Sequence, residues 1–325
     1  MHRPLTELRD SWEKNWPEVR ALLTGSFPKF VLSGDPSDLD SEVPVFCYHM
    51  VGWEEFERDL KFLSRNDYDT IDAQMLLDHL TGVRRAPPRS VVLSIDDGAK
   101  NLFDVAFPLL RRYGMKAVAF IAPGLHQDTT DSGRTAGEDA DLGPCAWSEI
   151  QRMHESGNVD FQAHTFAHRY VPRWPEPADL TGSCPALVDS RRGPPLSMKE
   201  DFELAKRTIE ERLGKRVLHL AFPKYRGTTA ALELGVECGF QSFWWGYVPG
   251  HLGNRVGQSP HYVARTDGIY LQRLPGKGRL MGRAALKKRF SAVVSRQQMS
   301  REDKLPLAEN GDRPATQRVG SEDSE

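Results

Sequence analysis

The sequence predicts an α/β fold with parallel strands, and three observations lead to that prediction. Short apolar runs of the kind that form buried strands recur along the chain. Amphipathic stretches with helical spacing lie between these runs. Strands and helices therefore alternate, which requires parallel strands joined by crossovers and gives either a βα barrel or an open doubly wound sheet.

Six apolar runs are predicted to be strands. Each is short, and each is bounded by polar or glycine-containing segments, as is typical of buried strands. In chain order they are PVFCYH (44–49), VVLSI (91–95), KAVAFIA (116–122), VDFQAH (159–164), RVLHLAF (216–222) and FQSFWW (240–245).

Two of the stretches between these runs are predicted to be amphipathic helices. The first covers residues 53–66, and its apolar face comprises Trp53, Phe56, Leu60 and Leu63. The second covers residues 198–214 and ends at a glycine, a common C-terminal cap. Its apolar face comprises Phe202, Ala205, Ile209 and Leu213.

Composition excludes several classes of protein. The chain has 43 basic and 45 acidic residues, so its charge gives no reason to expect nucleic acid as a partner. No apolar run approaches the roughly 18 residues of a membrane span. The polar N-terminal stretch lacks the apolar core of a signal peptide, from which we expect a cytoplasmic protein. The four cysteines are far apart and form no C-x-x-C pair, which indicates reduced thiols.

The chain is predicted to have four parts. They are an N-terminal helical extension (1–43), a main domain (44–275), a basic amphipathic helix (276–299) and a disordered tail (300–325). The basic segment 276–296 carries seven Lys or Arg residues and no acid. It would contact an anionic membrane surface, or else pack on the main domain with a solvated basic face. The oligomeric state is left open by the sequence.

Two long connections interrupt the alternation of strands and helices. Residues 123–146 and 171–197 are rich in Gly, Pro, Ser and Asp. Loops of this length are uncommon unless they are functional or disordered. Both follow strands at the same end of the sheet, so we expect them to border one opening.

Titratable residues follow three of the predicted strands. His49 ends the first, Asp96 and Asp97 end the second, and His164 ends the fourth, with His168 four residues later. In βα folds the C-terminal ends of the strands form the active-site face. We therefore expect these five side chains to lie near one another.

Each of these motifs also has a plainer interpretation. An Asp-Asp-Gly sequence after a strand is typical of a turn with a helix N-cap. A His-x-x-x-His pair is often a coincidence of helical spacing, and a lone histidine at a strand end needs no function. All of these interpretations would have to hold at the same end of one sheet, and a single site explains the residues more simply.

A metal centre accounts for the whole group. Two imidazoles and one carboxylate supply three ligands and leave a tetrahedral zinc ion one open position. One of the adjacent aspartates would bind the cation, which relieves the repulsion between the two carboxylates. The other would remain available to accept a proton from water. Zinc is the expected metal, and the same ligands also suit cobalt, nickel or iron.

The motifs resemble those of the polysaccharide deacetylase family, which is also called the NodB-homology domain or carbohydrate esterase family 4. They are SIDDG (94–98), HTFAH (164–168), LAFPKYRGTTAALELGVECGF (220–240) and FCYHMV (46–51). The last is similar to a subset of the family with an N-terminal Tyr-His strand. The resemblance extends over roughly residues 44–275. It implies a distorted, incomplete (β/α) barrel of about seven strands, with long loops at the C-terminal strand face.

The resemblance also implies roles for individual residues. Asp96 would be the catalytic base and His49 the catalytic acid. The metal ligands would be Asp97, His164 and His168.

Further roles concern the substrate pocket. Pro223 and Tyr225 would line the acetyl pocket, and the Tyr225 backbone N–H would help to hold the oxyanion. Arg265 or Arg273 would orient the base, and the sequence does not separate the two. Lys224 stands where the family usually has a smaller or aromatic residue, which leaves the shape of the pocket open.

The expected function is therefore metal-dependent hydrolysis of the acetamide of an N-acetylated sugar, which yields a free amine and acetate. The substrate would be a polysaccharide or oligosaccharide, or a lipid-linked or nucleotide-linked glycan. Two alternatives stay open: hydrolysis of another amide or ester, such as a cyclic amide or an O-acetyl group, and a catalytically silent sugar-binding module. A non-haem iron oxygenase also uses two histidines and a carboxylate, but the second aspartate fits that class poorly.

Overall fold

The computed structural model describes five long stretches and several short ones. They are residues 41–128, 143–169, 196–225, 227–247 and 253–285, with 20–21, 24, 27–33, 39 and 287. The predicted disordered tail, most of the N-terminal extension and most of both long connections lie outside these residues. The chain divides into a compact unit, Met1–Gly282, and a second unit, Arg283–Glu325. The fold and the site described below belong to the first unit.

The described strands form one parallel sheet. They are β1 (Val45–Tyr48), β2 (Asp69–Thr70), β3 (Ser90–Asp96), β4 (Ala117–Ile121), β5 (Val159–Ala163), β6 (His219–Ala221), β7 (Ser242–Trp244) and β8 (Thr266–Asp267). Their order is β7-β6-β5-β4-β3-β1-β8, and β2 pairs with β3 beside this path. All six predicted strands are confirmed. The two-residue strands β2 and β8 have no apolar run that would have predicted them.

Helices connect the strands on the outside of the sheet. They are α1 (Lys29–Leu32), α2 (Trp53–Arg65), α3 (Ala73–Thr81), α4 (Phe107–Tyr113), α5 (Trp147–Glu155), α6 (Met198–Leu213) and α7 (Thr229–Glu237). A π-helical turn, Leu102–Ala106, leads into α4. Shorter 3₁₀ turns lie at Pro123–Leu125, Pro223–Tyr225, Pro260–Tyr262 and Gly268–Arg273.

The sheet curls until its two edges nearly meet. Trp245 N–H donates to the Val263 carbonyl at 2.9 Å, and Val263 N–H donates to the Phe243 carbonyl at 3.0 Å. Three residues later, Thr266 pairs with Phe46 of β1. The segment 263–267 therefore spans the gap between β7 and β1. This is the distorted, incomplete (β/α) barrel with seven strands along its path that the family resemblance implied.

The interior of the barrel is apolar below the strand ends. Side chains alternate between the two faces of a strand, so every second residue points inward. The inward set includes Val45, Val92, Val118, Phe120, Trp244 and Val263. The rings of Phe120 and Trp244 lie 4.9 Å apart. Burying a large apolar side chain stabilises the fold by about 1.5–3 kcal/mol. This apolar layer therefore stabilises the barrel beneath the polar residues at the strand ends.

The two predicted amphipathic helices are confirmed, with one correction. Phe56, Leu60 and Leu63 of α2 are buried, but Trp53 is 41% exposed. Trp53 is the first residue of α2, and its ring lies on the surface with the Arg112 guanidinium 5.6 Å from its centroid. Helix α6 ends at Gly214, which has a φ of 63°, as expected of a glycine C-cap.

The start of the predicted basic helix has a different structure. Residues 276–281 form turns and coil, and helical structure begins at Gly282. The Arg279 guanidinium donates to the Phe30 carbonyl at 2.9 Å and to the Ser33 carbonyl at 2.7 Å, which holds this segment in a non-helical path. No described helix has both the length and the hydropathy to cross a membrane. Membrane contact through residues 276–296 and the domain boundaries stay predictions.

Candidate active site

The two adjacent aspartates point in different directions because the chain turns sharply at the end of β3. Asp97 and Gly98 both have left-handed backbones, with φ values of 72° and 64°. Aspartate tolerates this region better than most residues do. At Gly98 a Cβ atom would lie 2.7 Å from Ile121 Cγ2, so only glycine fits. Asp96 consequently points into the barrel, and Asp97 faces the two histidines.

Asp96 is a buried carboxylate that stays ionised. Its Oδ1 accepts a hydrogen bond from Arg265 Nη1 at 2.7 Å, and both side chains are almost fully buried. Burial raises the pKa of Asp96, but interactions with Arg265 above all, and with His164 and His49, outweigh that effect and hold its pKa below the usual range. The Asp96 side chain is therefore a carboxylate at neutral pH.

Arg265 is fixed on several sides. Its Nε donates to the Trp245 carbonyl at 2.8 Å. Its guanidinium lies 5.5 Å from the centroid of the Phe120 ring and 5.2 Å from that of Tyr225. A buried cation this constrained positions the carboxylate to which it is bonded.

The structure separates the two arginines that the sequence left as alternatives. The Arg273 guanidinium donates to the backbone carbonyls of Val31, Ser33 and Leu280. It therefore ties the chain near α1 to the segment after the 3₁₀ turn. Arg265 is the arginine that contacts Asp96.

The three predicted metal ligands converge. Asp97 Oδ1 lies 3.4 Å from His164 Nε2 and 3.2 Å from His168 Nε2. One ligand atom from each residue lies within 4.8 Å of those of the other two. Burial raises the pKa of Asp97. The two histidines lower it by more than burial raises it, so the pKa of Asp97 lies below the usual range.

The chemistry of these atoms fits a cation. His164 Nδ1 lies 2.9 Å from the Ala221 carbonyl, which can only accept, so in the neutral imidazole Nδ1 carries the proton and Nε2 carries the lone pair. That lone pair faces Asp97 Oδ1, a buried oxygen that accepts no hydrogen bond from the described part of the chain. Two facing acceptors repel each other unless a positive ion lies between them. A histidine held in this way by a carbonyl is typical of metal ligands.

A residue that sequence reasoning missed holds the loop between the two histidines. Thr165 and His168 have φ values of 60° and 52°, unusual for residues other than glycine. The buried Asp201 carboxylate of α6 accepts from the backbone N–H groups of Phe166 at 2.6 Å and Ala167 at 3.3 Å. Asp201 thus fixes the loop from outside. Its sequence signal was an acid in the first turn of a predicted helix, which is common for other reasons.

The predicted acid, His49, lies near Asp96 and contacts one of the predicted pocket residues, Tyr225. The His49 ring packs edge to face on Tyr225, with centroids 5.8 Å apart. Pro223 is buried at the start of the 3₁₀ turn that carries Tyr225. The Tyr225 backbone N–H, expected to hold the oxyanion, donates instead to the Phe222 carbonyl at 3.0 Å. In this structure that donor is already engaged.

Cys47 is the second residue that sequence reasoning missed. Its sulfur lies 3.6 Å from Asp96 Oδ2 and accepts from the Tyr225 hydroxyl at 3.4 Å. Burial raises the pKa of Cys47 to about 12, so it is a thiol at neutral pH. The signal was present in the sequence, because Cys47 and His49 are two apart and side chains alternate along a strand.

The chain is similar to known sequences over the part that carries these motifs. Residues 84–243 match the sequence model described as polysaccharide deacetylase. The protein YxkH of Bacillus subtilis is 23% identical over 237 residues, which are 70% of this chain and 73% of that protein. The poly-β-1,6-N-acetyl-D-glucosamine N-deacetylase of Staphylococcus epidermidis is 26% identical over 112 residues. That match covers 34% of this chain and only 36% of the enzyme.

Comparison with solved structures supports the fold. The structure of IcaB from Ammonifex degensii superposes with a TM-score of 0.54 and 23% sequence identity. The superposition covers 70% of this chain and 91% of IcaB. At this identity the similarity establishes a common fold and no more.

Proposed function

The chain belongs, through residues 84–243, to the polysaccharide deacetylase family, and on that premise we propose that it hydrolyses the acetamide of an N-acetylated sugar in a metal-dependent reaction. The products are a free amine and acetate. The observation that carries the proposal is the buried, ionised Asp96 beside the cluster of Asp97, His164 and His168.

Asp96 acts as the general base in this proposal. Arg265 occupies its Oδ1, which leaves Oδ2 to accept a proton from the attacking water. Because Arg265 lowers the pKa of Asp96, the carboxylate is deprotonated at neutral pH, which a general base has to be. Arg265 itself transfers no proton and keeps the carboxylate in one orientation.

Asp97, His164 and His168 would hold the divalent cation. When bound, the cation supplies a lowered pKa for the nucleophilic water and polarises the acetyl carbonyl oxygen. Zinc is proposed as the metal, and two imidazoles with one carboxylate also suit cobalt, nickel or iron.

His49 acts as the general acid in this proposal. It follows β1 and lies at the strand end next to Asp96, with a ring nitrogen within 4.8 Å of an Asp96 carboxylate oxygen. An imidazolium there would give its proton to the departing amine nitrogen. Tyr225, whose ring packs on His49, would form one wall of the acetyl pocket.

The proposed substrate contains N-acetylglucosamine. One relative is named for poly-β-1,6-N-acetyl-D-glucosamine, and its match covers about a third of its length. Hydrolysis of a different amide or of an O-acetyl ester would use the same groups and is the second candidate. A cytoplasmic location stays a prediction from the sequence.

The test is acetate release by the purified chain. The protein is prepared free of metal and then supplied with one equivalent of zinc, cobalt, nickel or iron. The substrates are N-acetylglucosamine oligomers, O-acetylated sugars and cyclic amides. Zinc-dependent acetate release from the oligomers supports the proposal. Turnover of only the esters or cyclic amides would select the second candidate, and no metal-dependent turnover of any substrate would leave the sugar-binding alternative.

A further inference from the structure

We propose that the inner face of β1 carries a second metal site, in which an excess divalent transition metal such as zinc binds Cys47, His49 and Asp96 and inhibits the enzyme. The Cys47 sulfur, a His49 ring nitrogen and an Asp96 carboxylate oxygen all lie within 4.8 Å of one another. This set shares no residue with Asp97, His164 and His168, which form a separate cluster of the same size.

The sheet itself places these three side chains together. Cys47 lies in β1 and His49 directly follows the strand, and the Cys47 sulfur lies within 4.8 Å of a His49 ring nitrogen. Strands β1 and β3 pair in parallel with Cys47 opposite Ser94 and Tyr48 opposite Ile95. Asp96, the residue after Ile95, therefore lies beside His49 and points into the barrel. Because backbone hydrogen bonds set this register, the three donors are preorganised.

The donors suit a transition metal, and each has an atom to offer. Thiolate, imidazole and carboxylate are all ligands that zinc uses in proteins. Arg265 is bonded to Asp96 Oδ1, and the other oxygen, Oδ2, is the one that lies 3.6 Å from the Cys47 sulfur. On binding, the Cys47 S–H bond breaks, its proton goes to solvent and the thiolate coordinates the metal.

The second site would be weaker than the first. The Arg265 cation lies 2.7 Å from Asp96 and repels an incoming dication, whereas no arginine among the described residues is bonded to Asp97. The site at Cys47 therefore fills only after the first equivalent of metal is bound. Its occupant would take the Asp96 oxygen and the His49 nitrogen that the proposed function uses for proton transfer. The inhibition rests on that proposed function, whereas the binding does not.

The test is a cobalt titration of the metal-free, full-length chain. The first equivalent of Co²⁺ should bind without a sulfur ligand. The second should produce a sulfur-to-cobalt charge-transfer band in the near ultraviolet. In Cys47→Ser the first equivalent should bind as in the wild type, the band should be lost, and the affinity for the second equivalent should fall about tenfold or more. Cys238→Ser, a change in a partly exposed thiol, should keep the band.

The proposal is overturned by any of three results: a wild type that binds a single cobalt, a second cobalt without the band, or a band that persists in Cys47→Ser. Retained binding of the first equivalent shows that the variant is folded. For turnover, zinc beyond one equivalent should inhibit the wild type several-fold and Cys47→Ser much less. If the wild type and both variants lack turnover, but the charge-transfer band is present in the wild type and lost in Cys47→Ser, the second metal site is supported and the proposed function is rejected.

Discussion

Asp96 and Asp97 are adjacent in the chain, yet each carboxylate meets a different set of positive groups. The left-handed turn at Asp97 and Gly98 separates them. Asp96 is bonded to Arg265, and Asp97 faces the two histidines. Without the turn, two carboxylates side by side would each raise the pKa of the other. One residue can therefore serve as a base while its neighbour binds a cation.

The division of roles predicts opposite phenotypes for the two aspartates. Asp96→Asn should lower kcat by about 100-fold or more, because a general base is lost, while the metal content stays at the wild-type level. Asp97→Asn, the matched control, should lose the metal as well as the activity. Metal content is measured by mass spectrometry and turnover by acetate release. An active Asp96→Asn variant would reject its assignment as the base.

Arg265 predicts a change in the pH profile. Arg265 lowers the pKa of Asp96, so replacing it by an uncharged side chain raises that pKa. The base then remains protonated up to a higher pH, and the acid limb of kcat/KM should move to higher pH in Arg265→Gln. Arg273→Gln, which alters the arginine bonded to backbone carbonyls, should leave the limb in place. If both variants moved the limb equally, the contact with Asp96 would not be the cause.

Residues 164–169, which follow β5, show how a neighbouring helix positions the proposed metal ligands. Among them, Thr165 and His168 have left-handed backbones, a conformation that needs support from outside this segment. Asp201, in the first turn of α6, accepts two hydrogen bonds from the backbone N–H groups between the histidines. Helix α6 is thus coupled through one carboxylate to the proposed metal ligands.

Asp201→Asn should weaken metal binding by about 10–100-fold, because groups that orient metal ligands contribute on this scale. The amide keeps the size of the side chain but removes the charge and one acceptor oxygen. Glu200→Gln is the matched control, since the exposed Glu200 caps the N-terminus of the same helix. Affinity is measured by competition with a chromogenic chelator. Equal affinities in the two variants would show that Asp201 has no positioning role.

At the scale of the whole molecule, the barrel carries its polar site at one end and buried polar groups in other parts of the sheet. His219 of β6 is buried, and its Nδ1 lies 2.7 Å from Ser242 Oγ. Burial lowers the pKa of His219 to about 4. The unfolded chain therefore binds a proton at a pH at which the folded chain does not.

His219 should consequently make the fold sensitive to acid. Its folded pKa lies below the unfolded value of about 6.5, so its contribution is complete above that pH and is lost as the pH falls towards 4. The loss amounts to about 3 kcal/mol in the free energy of unfolding. Denaturant unfolding of wild type and His219→Gln at several pH values checks this. A constant difference between the two proteins across that range would contradict the expectation.

Local patterns in the sequence were sufficient for much of this protein. Short apolar runs predicted all six longer strands. The helical spacing of apolar residues predicted the helices at residues 53–66 and 198–214. The rule that parallel strands present their C-terminal ends at one edge predicted that His49, Asp96, Asp97, His164 and His168 would lie close together. These inferences depend on neighbours in the chain, so the sequence carries them.

Only the tertiary structure decided between groups that are distant in sequence. In the sequence, Arg265 and Arg273 are equally good candidates for the arginine that contacts Asp96. The contact is made by Arg265, which is 169 residues away from Asp96 in the chain. The support from Asp201, the thiol of Cys47 beside the base and the closure of the barrel by residues 263–267 likewise depend on packing between distant segments. The sequence by itself determined the six longer strands, the helices at residues 53–66 and 198–214 and the chemical types at the strand ends, because these depend on local patterns in the chain. The curl of the sheet determined which charged side chains meet across the barrel, such as Arg265 and Asp96.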